Sequence, residues 1–253
     1  MACYKYLGSK NFSSDSLIRF EKRKRDISII FPTYNEERNV GRLIQALKSE
    51  LEGENFEIIV VDDDSKDKTP QLMDDNAGER VIALHRFGKR GIFSAFLDGI
   101  KISNGEYIVI MDADFSHPPK LIKEFLKYKG DYDIVSGSRF LKGAGIEAPF
   151  FRKYGTTLLN KVCNFIMGIK VKDATGGFHL IRKSKFEELK FKYSTIWGEF
   201  DLELFYRAVK KGFKIKEVPF VYKFRLEGHS KSENLLKYAY VYVKRAIQLR
   251  FFS

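Results

Sequence analysis

The chain has 253 residues, 44% of them hydrophobic and 31% charged: enough apolar material for one α/β domain of generous size, and too much for wholesale disorder. Lys and Arg number 45 against 33 Asp and Glu, and the formal net charge of +12 favours an anionic partner: nucleic acid, a phosphorylated ligand or an anionic membrane surface. Two cysteines, Cys3 and Cys163, exclude a disulfide framework, give no paired spacing for structural zinc and suit a reducing compartment. No run approaches the roughly 20 apolar residues needed to span a bilayer, so any membrane contact is expected to be peripheral.

Residues 1–26 read as a basic extension, flexible or weakly helical, ending in Lys22-Arg23-Lys24-Arg25. Strand and helix patterns then alternate. Residues 27–31 are β-branched and apolar, and Pro32 is expected to stop that strand. Val40, Leu43, Ile44 and Leu47 recur at helical spacing within 39–51. Further strands are expected at 57–61, 81–84, 107–111 and 133–136, with helices within 65–76, 91–103 and 120–128. Apolar strands alternating with amphipathic helices mean βαβ units, hence a mixed, mostly parallel sheet with helices on both faces. Gly143-Ala144-Gly145-Ile146-Glu147-Ala148 has the outline of a dinucleotide fingerprint, but it comes after five strands and before Pro149, so it reads as a loop.

Polar clusters follow three of the strands: Tyr34-Asn35-Glu36, Asp62-Asp63 and Asp112-Ala113-Asp114. Ligands of such sheets bind beyond the carboxyl ends of the strands. Asp112 and Asp114, two apart on a chain leaving a strand, can turn both carboxylates toward one cation. Oxygen-only ligands suit Mg²⁺ or Mn²⁺, and Ser116 can add a third oxygen. His117 reads as structural. Asp62 and Asp63 would repel each other if equally buried, so one of them is expected to face hydrogen-bond donors of a ligand such as a nucleotide, while Ser65 or Asp67 caps the next helix.

These residues carry a resemblance. Phe31-Pro32-Thr33-Tyr34-Asn35-Glu36, Asp62-Asp63-x-Ser65-x-Asp67-x-Thr69 and Asp112-Ala113-Asp114 resemble motifs of the family 2 glycosyltransferases, which have a GT-A fold. Residues 133–139, Asp173-x-Thr175-Gly176, Glu217-Val218-Pro219 and Arg225-x-x-Gly228-x-Ser230-Lys231 are similar in order and spacing to dolichyl-phosphate mannosyltransferases within that family. The resemblance implies mannose transfer from GDP-mannose to dolichyl (polyprenyl) phosphate, with inversion and dependent on metal. It implies that Pro32, Tyr34, Glu36 and Asp63 line the nucleotide, that Asp112, Asp114 and Ser116 hold the metal, and that Arg225 and Lys231 reach the diphosphate. Arg139, with Arg152 and Thr156, would hold the lipid phosphate; Asp114, Arg139 and Arg225 would act most directly on the reacting groups. Two residues depart from the family pattern: Asp64 replaces a usual Gly, and Phe93 stands where a small residue is common. The same lipid-phosphate reaction with UDP-glucose or another nucleotide sugar remains open. A non-catalytic basic binding module is the alternative of another class; the scattered charge and the lack of any RNA- or DNA-binding signature argue against nucleic acid.

A prenyl acceptor calls for an interfacial surface on the cytosolic face of a membrane, and the reading leaves room for a membrane-anchoring subunit. Residues 234–252 carry Leu235, Leu236, Tyr238, Ala239, Tyr242, Val243, Ala246, Ile247 and Leu249, with Lys237, Lys244, Arg245 and Gln248 on one stripe. That pattern fits an in-plane amphipathic helix or a core helix equally well. Residues 150–167 are a second candidate. The expected organisation is therefore 1–26 extension, 27–231 catalytic domain and 232–253 amphipathic helix.

Overall fold

The computed structural model describes residues 4–7, 24–191, 199–223 and 235–252. Chain order runs β1 (Tyr4–Leu7), β2 (Arg25–Thr33), α1 (Val40–Glu50), β3 (Phe56–Asp62), α2 (Thr69–Asn76), β4 (Val81–Arg86), α3 (Ile92–Ile102), β5 (Gly105–Ile110) and α4 (Leu121–Leu126). It continues with β6 (Ile134–Ser138), β7 (Gly145–Glu147), α5 (Phe150–Met167), β8 (His179–Arg182), α6 (Lys183–Glu188), α7 (Phe200–Lys210), β9 (Ile215–Pro219), β10 (Val221–Lys223) and α8 (Leu235–Phe252).

Among the described residues the main sheet has the order β1-β4-β3-β2-β5-β8-β6-β9. Pairs β2–β3, β2–β5, β3–β4 and β6–β9 are parallel. Strand β8 is antiparallel to both β5 and β6, so β5 and β6 run the same way. The carboxyl ends of β2, β3, β5 and β6 therefore open on one edge, and the segment entering β8 arrives there too. Alternation sorts the strand residues between two cores. Ile30, Ile59 and Val61 pack under α3, α5, α6, α7 and α8. Ile29, Phe31, Ile58 and Val60 pack under α1, α2 and α4 on the other face. A Cβ at Gly99 would lie 2.6 Å from Ile30 Cγ2, so α3 can approach the sheet only through glycine.

The mixed sheet with helices on both faces is as expected; several local expectations are not met. Pro32 does not stop β2, which continues to Thr33 paired with Asp62. Its ladder with β5 ends at Ile30, so the imide nitrogen of Pro32 falls where no β5 donor or acceptor remains to be missed. Part of the amino-terminal extension is neither loose nor helical: Tyr4–Leu7 adds an antiparallel edge strand on β4. The late glycine-rich segment is not all loop, because Gly145–Glu147 pairs in parallel with β10.

Helix α8 is a core helix along its inner face. Tyr242, Ala246 and Leu249 are buried in the same cluster as α5 and α7. Arg245 is not on a solvent stripe: it is buried in an ion pair with Glu203 of α7, and Arg207 Nε holds the other Glu203 oxygen at 2.6 Å. Among the described residues no helix is long and apolar enough to cross a membrane.

Candidate active site

Two loops at the open edge clasp each other. Asn35, in the left-handed region at φ 55°, donates its N–H to Ser65 Oγ (2.8 Å) and accepts Lys66 N–H at Oδ1 (2.9 Å). Glu36 N–H donates to Thr69 Oγ1 at 2.8 Å, and the Glu36 carboxylate accepts Asn39 Nδ2 at 2.8 Å. Asp67 accepts the N–H groups of Thr69 and Glu37, but the N-cap position of α2 is held by Lys68, not by the Asp67 or Ser65 expected there. The turn between them needs a left-handed residue, Asp64 at φ 62°, which explains both the usual glycine and the tolerance of Asp. Lys66 bonds the Asp64 carboxylate at 2.8 Å and holds its pKa below the ordinary value.

The adjacent carboxylates Asp62 and Asp63 coexist for a reason the sequence did not reveal. Asp62 is spent internally, on Thr33 Oγ1 and on the N–H and hydroxyl of Ser65. Asp63 faces Arg86, a buried cation 3.1 Å away, and accepts Gly91 N–H at 2.8 Å. Arg86 also approaches Asp98 at 3.3 Å, tying the Asp63 carboxylate to α3. Arg90, another residue not singled out from sequence, stacks over the Tyr34 ring at 4.1 Å and bonds its hydroxyl at 2.6 Å. Phe93 points away from this region and packs on Phe191 and Phe200.

Beyond β5, Ala113 turns into the core while Asp112 and Asp114 flank it. Asp112 is 39% exposed at its side chain; Asp114 is buried and accepts Ser116 N–H at 3.1 Å. Phe115, between Asp114 and Ser116, is left-handed, φ 61°, a strained conformation worth about 1–3 kcal/mol that collects at functional sites. Ser116 Oγ is buried without a hydrogen-bond partner among the described residues. Two carboxylates beside an orphaned hydroxyl fit a hard divalent cation. Among the described residues no three His, Cys, Asp or Glu side chains form a cation cage. His117 is structural: it stacks on Phe178 at 4.9 Å, and burial pushes its pKa down to about 4 against the opposing pull of Asp114.

Arg139 follows β6 and is buried. Its Nε and Nη2 fork onto Asp173 Oδ2 and Oδ1, both at 2.8 Å, and Nη2 also reaches Thr175 O and Oγ1. Burial disfavours both charges, yet each stabilises the other, so the Arg139 pKa is raised and that of Asp173 lowered. Glu217 of β9 accepts the N–H groups of Lys172 and Asp173, and Asn160 of α5 accepts Ala174 N–H. This explains why Asp173, Thr175 and Glu217 occur together with Arg139: they form its cradle, and Nη1 is the part of the fork they do not occupy. Arg152 and Thr156 lie one turn apart on α5, on a shared face. Tyr238 of α8 pairs with Tyr242 at 4.3 Å. Burial raises the Tyr238 pKa. Arg225 and Lys231 lie outside the described residues.

Residues 28–190 match the family described as glycosyl transferase family 2. A dolichol-phosphate mannosyltransferase of Pyrococcus furiosus is 33% identical over 222 residues, 85% of this chain and 61% of that protein. The chain thus spans less than two thirds of that relative. A polyprenol monophosphomannose synthase of Mycolicibacterium smegmatis is 32% identical over 216 residues, 80% of this chain and 79% of that one. Among solved structures, glucosyl-3-phosphoglycerate synthase of Mycobacterium tuberculosis with Mn²⁺, uridine diphosphate and phosphoglyceric acid superposes with a TM-score of 0.68 at 16% identity. That match covers 90% of this chain and 80% of the other and establishes a shared fold.

Proposed function

The chain belongs to glycosyl transferase family 2, and from that premise we propose that it transfers mannose from GDP-mannose to dolichyl or another polyprenyl phosphate, with inversion at the sugar carbon. The observation that carries this is the convergence, on one sheet edge, of the Tyr34–Glu36 loop, Asp63, the Asp112/Asp114 pair and the cradled Arg139. The names of relatives sharing about a third of its residues support the same reaction.

In this account Pro32, Tyr34, Glu36 and Asp63 line the nucleotide. Asp112, Asp114 and Ser116 hold Mg²⁺ or Mn²⁺, which when bound offsets negative charge on the departing diphosphate. Arg225 and Lys231 reach the same diphosphate, and Arg139 with Arg152 and Thr156 orients the acceptor. A phosphate monoester, with a second pKa of about 6, is already mostly ionised at neutral pH. The acceptor therefore needs positioning by guanidinium groups more than a general base, and an Arg held in place by Asp173 through Nε and Nη2 suits that role through Nη1.

The lipid tail needs an apolar surface nearby. Helix α5 turns Phe150, Phe151, Tyr154, Leu158 and Phe165 outward, with Phe151 83% and Phe165 88% exposed. Lys153 and Lys161 are exposed on the same helix. Aromatic groups with basic neighbours are what an in-plane membrane helix requires, so α5, more than α8, is the peripheral anchor, acting at the cytosolic face of a membrane. The test of the site is Asp112→Ala and Asp114→Ala: both should keep the wild-type circular dichroism spectrum and lose transfer. Full turnover by either variant in chelator-treated buffer would remove the metal assignment.

A further inference from the structure

We propose that His117 is a positioning residue for the divalent cation, holding the main chain of Asp112 in the arrangement that a metal ligand needs. The inference rests on the Asp112/Asp114 site proposed above and concerns what keeps that site in shape.

Strand β5 ends at Ile110, and Met111 N–H still reaches Ile30 O at 3.3 Å. The next N–H, that of Asp112, leaves the ladder and donates to His117 Nδ1 at 2.9 Å. This bond closes a loop from Asp112 to His117. Inside it Phe115 is left-handed and Ser116 N–H bonds Asp114 Oδ1. A bulky residue stays in that conformation only where its surroundings over-determine it. His117 provides that constraint. Its ring is 1% exposed, face-stacked on Phe178 with an interplanar angle of 12°, and edged by Phe220 and Tyr222 at 6.1 and 6.4 Å. Behind it stands Gly177, φ 68°, where any Cβ would come within 3.3 Å of His117 Cε1.

Because Nδ1 accepts, the neutral ring carries its proton on Nε2. Nε2 lies 3.9 Å from Asp112 Oδ2, beyond hydrogen-bond distance, and its proton is directed to the Gly176 main chain. The imidazole thus acts on Asp112 through its main chain, from which the carboxylate projects. Residues that hold a metal ligand in place matter nearly as much as the ligand, and losing one typically weakens metal binding about 10–100-fold.

The test is Mn²⁺ binding, followed by electron paramagnetic resonance on the full chain without substrates, for wild type, Asp112→Ala, His117→Phe and His117→Asn. His117→Phe keeps the stack on Phe178 but lacks both nitrogens and should bind Mn²⁺ about 10–100-fold more weakly. His117→Asn, whose amide oxygen can accept Asp112 N–H, should lie between it and wild type. A folded His117→Phe with wild-type affinity overturns the proposal, as does an Asn variant weaker than the Phe variant. If His117→Phe fails to fold, ¹⁵N-histidine NMR of the wild type decides. The Nε2–H tautomer, with a resonance that moves on Mg²⁺ titration, supports the role; a Nδ1–H tautomer or an unmoved resonance refutes it. Wild-type Mn²⁺ affinity in Asp112→Ala would sink the metal site itself, whereas loss there with none in His117→Phe sinks only the positioning role.

Discussion

Removing the Asp173 carboxylate should leave a buried guanidinium without its counter-charge. In the intact protein Asp173 is wholly buried and accepts Arg139 N–H, Nε and Nη2 at 2.9, 2.8 and 2.8 Å. Arg139 is itself only 9% exposed, so water cannot replace those bonds without opening the loop. Breaking one side of such a pair costs about 3–5 kcal/mol. For a chain of this size each 1 kcal/mol shifts the thermal midpoint by about 2–4 °C, so Asp173→Ala should melt roughly 6–20 °C lower. The sign of the pH effect follows from the lowered pKa of Asp173. The pair's contribution is complete above the ordinary carboxylate pKa of about 3.9 and fades as pH falls through the lower folded value. The gap between wild type and variant should therefore narrow in acid. The double change Arg139→Met with Asp173→Leu removes both charges and should melt higher than Asp173→Ala alone. Scanning calorimetry of the three proteins at neutral and acidic pH is the assay. An Asp173→Ala midpoint within about 2 °C of wild type at neutral pH would refute the buried-pair account.

Other perturbations separate fold from site. Gly177→Ala, forced into the left-handed region against His117, should lose about 1–2 kcal/mol by urea denaturation and bind Mn²⁺ more weakly; an unchanged urea midpoint would contradict the strain. Phe151→Asp with Phe165→Asp should leave the melting temperature unmoved and reduce sedimentation with anionic liposomes at least tenfold, since each inserted Phe is worth about 1.5–3 kcal/mol; unaltered sedimentation would rule α5 out as the anchor. Deleting residues 235–253 should unfold the protein, because it uncovers the core lined by Tyr242, Ala246 and Leu249 and takes from Glu203 one of its two cations, leaving Arg207; a truncated chain with native circular dichroism would mean α8 is dispensable to the core.

The parallel half of the fold was legible because its strands are continuous apolar runs with a single interpretation. Residues 56–62 are buried throughout and end in acids, the signature of a central strand opening on a site. The later strands, antiparallel β8 and parallel β9, were harder to read. Strand β8 is four residues, His179 to Arg182, bounded by glycines and a short helix, and β9 mixes Lys and Glu with Ile and Val. Neither holds a period long enough to register. The Asp112/Asp114 pair was visible because both members sit in one turn. The Arg139–Asp173 pair was recognised as two motifs but not as one bonded unit, since 34 positions separate its members and only β8 joins them in space. Helix α8 shows the limit of apolar patterning. Tyr and Leu stripes look alike whether they meet lipid or protein, and the buried state of Arg245 depends on Glu203, 42 residues earlier.

The central claim is a donor and acceptor assignment, and it is met most directly by a transfer assay that varies both. Purified full-length protein would be supplied with radiolabelled GDP-mannose, UDP-glucose or UDP-galactose, each with short-chain polyprenyl phosphate or with free glycerol 3-phosphate, in Mg²⁺ or in chelator. The account predicts label in the organic phase for GDP-mannose with polyprenyl phosphate in Mg²⁺, and none of it in chelator. Transfer that prefers a uridine donor, that proceeds equally to the water-soluble phosphate, or that persists without metal would contradict it.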